Sequence, residues 1–342
     1  MNRRAFLATS LAAVACTQIT QAQETMGEVV RLDPRLDKLI PPDAKIEKIA
    51  GGFDWAEGPV WDRRKEGEER LLFSDIPKNM VWQWSAKGGL KPFLKPSGYT
   101  GTEKRGGESG SNGLIMGWGH EHLILCQHGD RRIARLNDDG KTFTTLADRY
   151  EGKRFNSPND LAIHWSSGNI FFTDPPYGLE KGADDPKREM NYCGVFRLHK
   201  DGRIKLMTKD LTRPNGIAIS GDQKTLYVAN SDPKHAIWIA YPLDLVLGDI
   251  QGDGKVFYDV TKEVGKMKGL PDGMKLDLNG NLFATGPGGV WVFTPKAEVL
   301  GRIDPGCATA NCGWGMDGDT LFLTADKSLC RIETKTRGWD SL

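Results

Sequence analysis

The sequence is short of several things that would each define a function. Lys and Arg number 46 against 45 Asp and Glu, so no excess of positive charge points to a nucleic-acid partner. Past the N-terminus no apolar run is long enough to span a bilayer, so the mature chain is expected to be soluble, with no membrane insertion. The six cysteines form no C-x-x-C pair, which argues against a zinc ribbon. Cys307 and Cys312 are close enough to bridge if their loop allows it. No G-x-S-x-G elbow is present, so a serine hydrolase is disfavoured. The Gly-rich stretch 101–113 lacks the Gly-Lys-Ser/Thr of a phosphate loop.

What is abundant is glycine, 41 residues, and aromatics, with 10 Trp and 13 Phe. Many turns and a large apolar payload favour an all-β chain. The first residues, MNRRAFLATSLAAVACTQITQAQE, read differently from the rest. Arg3-Arg4 precedes a short apolar run and then small residues, the pattern of a secretory signal of twin-arginine type, with cleavage after Ala22. A lipoprotein reading through Cys16 is weaker, because Ala13 stands where such signals usually carry Leu. Loss of 1–22 removes two arginines and no acid, leaving a formal charge of −1. The expected division is a signal peptide over 1–22, an N-terminal extension over 23–44 that crosses the outside or helps close the fold, and a single domain over 45–342. The expected location is the periplasm or exterior of a bacterium.

The domain is a repeat. Six units open on Glu57, Asn112, Asn159, Asn215, Asp272 and Asn311, at spacings of 55, 47, 56, 57 and 39 residues. Each has a polar opener, a short apolar run, a Gly/Asp/Asn turn, a second run ending in Ser, Thr, Ala or Asp, and a third run such as VWQW, RIARL or GVWVF. Runs this short are strands, and blade-sized periods of roughly 40–50 residues mark propellers. The sequence therefore predicts a six-bladed β-propeller of four-stranded blades around a central channel. The loop 96–111 and the insert 181–192 interrupt the repeat and are the lid candidates.

In RPNGIAISGDQKTLYVANSD, residues 213–232, the hairpin turn is Gly221-Asp222, so Asn215-Gly216 needs another reason. The plainer explanation, that such pairs are merely turn residues, weakens over the whole set. The openers head the innermost strands and are expected to converge at one channel mouth. All six offer oxygen, which suits a hard divalent cation, and Glu57 with Asp272 would balance its charge. Ca²⁺ is the first candidate and Mg²⁺ the second, with Mn²⁺ or Zn²⁺ as alternatives; zinc would prefer the His or Cys this set lacks. Asn112 is expected to face substrate. His128, in CQHGDRR, is a candidate for substrate contact or base chemistry, against the plainer reading of a histidine bonded to a loop carbonyl.

At these residues the chain resembles a known family, the gluconolactonase-like propellers, which include regucalcin (senescence marker protein), luciferin-regenerating enzyme and bacterial lactonases. The motifs are Glu57-Gly58-Pro59-Val60-Trp61, Arg154-Phe155-Asn156-Ser157-Pro158-Asn159-Asp160, Phe172-Thr173-Asp174-Pro175, Arg213-Pro214-Asn215-Gly216 and Pro271-Asp272-Gly273-Met274. GWGHEHLILCQHGDRRI resembles the bacterial branch. The resemblance implies one divalent metal held by Glu57, Asn159, Asn215 and Asp272, and hydrolysis of a lactone, often a sugar lactone such as gluconolactone. It implies that Asn159 also touches substrate, that Arg154 binds substrate and that Asp272 is the candidate general base. Asp160 is the second choice for that base. The competing readings are a hydrolase of other esters or phosphotriesters on the same site, and a non-enzymatic calcium- or sugar-binding propeller.

Overall fold

The computed structural model describes residues 24–64 and 67–339. The proposed signal over 1–22 lies outside them. Short alternating runs bounded by glycine turns form six antiparallel blades around a channel. Blade 1 is Ala56–Asp62, Arg70–Asp75, Met80–Ser85 and Gly89–Leu94. Blade 2 is Ser111–Met116, Leu123–Gln127, Arg132–Leu136 and Phe143–Ala147. Blade 3 is Leu161–His164, Asn169–Asp174, Gly194–Leu198 and Ile204–Thr208. Blade 4 is Pro214–Ile219, Thr225–Asp232, His235–Pro242 and Lys255–Asp259.

The last two blades borrow from the N-terminus. Blade 5 is Met274–Leu276, Leu282–Gly286, Gly289–Phe293 and Val299–Asp304, with Glu28–Arg31 added antiparallel on its outer edge. Blade 6 takes only three strands from the C-terminal segment, Thr309–Gly315, Thr320–Ala325 and Ser328–Glu333. Glu47–Gly51 supplies its fourth strand and closes the ring. Between these two strands Leu36 and Ile40 are fully buried against Leu300, Ile332 and their neighbours. Each such side chain contributes about 1.5–3 kcal/mol of hydrophobic burial. Residues 24–44 are thus part of the wall of blades 5 and 6.

Blade faces pack through aromatics carried on the second and third strands. Trp238 is fully buried, with its ring 5.3 Å from Phe293 in an edge contact. Phe155, Phe172 and Phe196 form a similar cluster, with centroids 5.1–5.4 Å apart. Trp84 and Trp291 are buried too. None of the five cysteines among the described residues is in a disulfide. Cys312 is buried in an inner strand with its thiol on the Phe283 carbonyl, so it is not bridged to Cys307.

Two devices place the inner-strand openers. First, the inner strand slips register at the opener: between Glu57 and Val60, Ser111 and Leu114, Pro214 and Ile217, and Thr309 and Asn311. A bulge of this kind turns a side chain out of the sheet's alternation. Second, a hydroxyl near the end of a second strand hooks the next blade. Ser74 Oγ donates to Asn112 O at 2.8 Å, Thr173 Oγ1 to Asn215 O at 2.7 Å, and Thr285 Oγ1 to Ala310 O at 2.9 Å. Ser231 Oγ does the same to Pro271 O. The recurrent Ser/Thr of the sequence repeat is therefore a blade-to-blade tie.

The glycine after the opener has its own cause, and it is not a turn. A Cβ on Gly216 would lie 2.1 Å from the carbonyl oxygen of Asp272, and one on Gly273 would lie 1.9 Å from Cγ of Asn311. Neighbouring inner strands approach too closely for any side chain there.

Candidate functional site

Five of the six openers, Glu57, Asn112, Asn159, Asn215 and Asp272, line one pocket of about 350 Å³ at a channel mouth. Its wall also includes Glu108, Tyr177, Arg213, Ser231 and Thr309. The sixth opener does something else. Asn311 donates from Nδ2 to Glu57 Oε2 at 3.0 Å, and its Oδ1 accepts from the Cys312 amide at 2.9 Å. It holds Glu57, whose Oε2 also accepts from Gly58 N, and its side-chain amide hydrogen-bonds the Asp160 carboxyl as well. Ser231 plays a similar part for Asn215, accepting from its Nδ2 at 2.9 Å. That bond leaves Oδ1 as the free end of the amide.

The pocket holds a set of polar atoms without partners. Oδ1 of Asn112, of Asn159 and of Asn215 is each buried with no hydrogen bond among the described residues. An unpaired buried carbonyl oxygen costs about 1–3 kcal/mol, so three at one mouth need a common explanation. Two carboxylates accompany them. Glu57 is buried, and its carboxyl is pushed up to about 8, first by burial and then by the charge of Asp160. Asp272 keeps partial exposure to the cavity, yet burial, then Glu57, Asp160 and Glu108, hold its carboxyl well above the usual range.

Among the described residues no group of three or more His, Cys, Asp and Glu is arranged to hold an ion. A cation at this mouth would instead rest on two carboxylates and three amide oxygens. That all-oxygen set fits a hard divalent ion and suits zinc poorly.

The other sequence candidates are placed as follows. Asp160 does not line the pocket; its carboxylate accepts from the amides of Leu161 at 2.9 Å and Ile217 at 3.4 Å. His128 is fully buried, with Nε2 3.5 Å from Asn159 Nδ2. Its Nδ1 lies 3.1 Å from Glu108 Oε2, out of line for a hydrogen bond. Arg154 is absent from the pocket wall, and its guanidinium donates to the Asp130 carbonyl at 2.6 Å. The arginine on the wall is Arg213, two residues before Asn215 in the quoted motif. Glu108 and Tyr177 also escaped sequence reasoning as site residues; each sits on a segment that departs from the repeat. Asp174, raised to about 7 by burial, accepts from the amides of Asn156 and Ser157 at 2.8 Å and so shapes the loop before Asn159.

A six-bladed propeller with an acidic, oxygen-lined pocket at one channel mouth defines the class. The chain belongs to the family described as SMP-30/Gluconolactonase/LRE-like region, whose profile matches residues 55–327. A gluconolactonase of Zymomonas mobilis subsp. mobilis is 42% identical over 321 residues, covering 92% of this chain and 88% of the relative. A solved gluconolactonase of Xanthomonas campestris superposes with a TM-score of 0.76 at 28% identity, covering 93% of this chain and 99% of that one. A calcium-binding regucalcin of Agrobacterium tumefaciens shares the fold, with a TM-score of 0.62 at 18% identity over 84% of this chain and 95% of that one. Among the described residues no helix is long and apolar enough to cross a membrane.

Proposed function

We propose that this chain is a lactonase that opens a lactone by attack of water, with a sugar lactone such as gluconolactone the first substrate to try. The supporting cofactor is one divalent cation, Ca²⁺ ahead of Mg²⁺, Mn²⁺ or Zn²⁺, held by Glu57, Asn159, Asn215 and Asp272. The observation that carries the reading is the convergence of three partnerless amide oxygens and two raised carboxylates in one pocket. The name of the Zymomonas relative supports the reaction class.

A bound dication would supply Lewis acidity to the ester carbonyl. The chain's own groups supply the rest. Asn159 offers an amide donor toward the developing oxyanion, and Asn112 faces the substrate. Asp272, which keeps partial exposure to the cavity, is the candidate to take the proton of the attacking water; Asp160, the second choice from the sequence, lies off the pocket wall and is not placed for that role. His128 backs Asn159. Asn311 and Ser231 hold Glu57 and Asn215 so that no ligand must reorganise on binding. The twin-arginine pattern of residues 1–22 supports export to the periplasm or beyond.

The test is acid release from gluconolactone and simple lactones, before and after chelation, then with Ca²⁺, Mg²⁺, Mn²⁺ or Zn²⁺ restored. Turnover is expected to vanish on chelation and return best with Ca²⁺. Activity that survives full chelation removes the cation from the reaction, and no release from any lactone with the ion bound leaves a binding propeller. Asp272→Asn with normal turnover at normal ion occupancy would remove Asp272 as the base.

A further inference from the structure

The pocket wall is not made by blade strands alone. Loops contribute to it, and three of them, from different places in the chain, meet on the side of Glu108 and Tyr177. One runs from the end of blade 1 to the start of blade 2 and carries Glu108. One is the tight turn after Leu123–Gln127 and carries His128. One follows Asn169–Asp174 and carries Tyr177. Glu108 and Tyr177 line the pocket, and His128 lies against Asn159.

Arg105 sits where the three meet. Its Nη1 donates to Gly129 O at 2.7 Å and its Nη2 donates to Gly178 O. Gly129 is the neighbour of His128, and Gly178 the neighbour of Tyr177. The guanidinium also lies over the ring of Tyr99, 5.2 Å from its centroid. One planar fork thus ties its own loop to both others.

The junction is packed at backbone contact. A Cβ on Gly178 would be 2.6 Å from Cβ of His128 and 2.7 Å from Cβ of Ser157. One on Gly129 would be 2.5 Å from the Ser109 carbonyl oxygen. Neither glycine has room for a side chain of its own, so the ties across this junction are hydrogen bonds, among them His128 N to Gly110 O at 3.2 Å. Asn79 holds the loop's start, its Oδ1 accepting from the amides of Ser97, Gly98 and Tyr99. Thr100 binds the Asp130 carboxylate. Closer to Glu108, Gly106 N reaches Glu180 at a long 3.4 Å. Arg105 is the short, charged tie on the Glu108 side.

We infer that Arg105 is a positioning residue of this site: it holds Glu108, His128 and Tyr177 in register around the substrate while contacting none of Glu57, Asn159, Asn215 or Asp272. The consequence for turnover rests on the lactonase reading; the consequence for the loops does not. Two carbonyls that belong to separate loops need a fork, which a lysine ammonium on a flexible stem matches only in part.

The experiment compares wild type, Arg105→Ala and Arg105→Lys in three measurements: calcium affinity by calorimetry, kcat and KM on gluconolactone, and amide hydrogen exchange. In Arg105→Ala, exchange is expected to rise at least tenfold across 104–110 and 176–180 and to stay unchanged at 97–100, which Asn79 and Asp130 hold, and in the inner strands of blades 1 and 4. Calcium Kd should stay within twofold and kcat/KM should fall at least tenfold, with part of the loss recovered in Arg105→Lys. Unchanged exchange in the two loops overturns the inference. A calcium affinity that falls in step with turnover also overturns it, since Arg105 would then be a general structural support. If Arg105→Ala fails to fold, Arg105→Lys carries the same readouts with smaller changes. Wild type that opens no lactone sinks the lactonase reading, and the exchange data still decide the tie.

Discussion

Stripping the cation and raising the pH should destabilise this protein in a way that reports on Glu57. In the absence of an ion, burial and the charge of Asp160 keep the Glu57 carboxyl protonated to about pH 8. In the unfolded chain the same group ionises near 4.5. Between those values the native state binds more protons than the unfolded state. Stability from this group is therefore fully present below pH 4.5 and drains away as pH rises toward 8. The slope for one group is at most about 1.4 kcal/mol per pH unit. From pH 6 to 7.5 the loss is about 2 kcal/mol, or roughly 3 °C in Tm for a domain of about 300 residues. Asp272 adds to the same slope, its carboxyl raised by burial and by Glu57. A bound dication reverses the logic by favouring both ionised forms, so saturating Ca²⁺ should flatten or invert the dependence. The assay is thermal unfolding from pH 5.5 to 8.5, chelated and calcium-loaded. Asp174, raised to about 7, tilts the curve the same way, so the Glu57 share is read as wild type minus Glu57→Gln. A chelated difference curve that is flat, or that rises with pH, would refute the buried-acid account of the pocket.

Two further outcomes follow from the geometry. Asn311→Ala removes the donor on Glu57 Oε2 and should weaken calcium binding by about tenfold, with the fold retained, as judged by calorimetry and circular dichroism. Gly216→Ala drives a methyl to within 2.1 Å of the Asp272 carbonyl oxygen and should cost about 1–3 kcal/mol in urea unfolding at unchanged m, with loss of calcium affinity. An Ala variant as stable as wild type would show that the blades are not in the close contact described.

The pocket was legible wherever it obeyed the repeat. Glu57, Asn112, Asn159, Asn215 and Asp272 occur once per period, and the channel brings periodic positions to one place. Asn311 shares that phase, yet its side chain turns to Glu57, a choice set by its neighbours and invisible in spacing. Glu108 and Tyr177 lie on segments that break the period, so no pattern could assign them. Arg154 and Arg213 are each near an opener in a quoted motif. Only the path of the backbone separates the one bonded to Asp130 from the one on the wall. The six-fold architecture was likewise legible, because each blade is a local meander. Which strand would close it was not: Glu47–Gly51 pairs with Ser328–Glu333, and no local rule links the two.

That closure puts a delay into synthesis. Glu47–Gly51 leaves the ribosome about 280 residues before its partner strand is complete. At roughly 5–20 residues per second, the nascent chain carries an unmated β-edge for about a quarter of a minute to a minute. Glu47 and Lys48 put charge on that waiting segment, and charge on an open edge discourages it from joining the wrong neighbour.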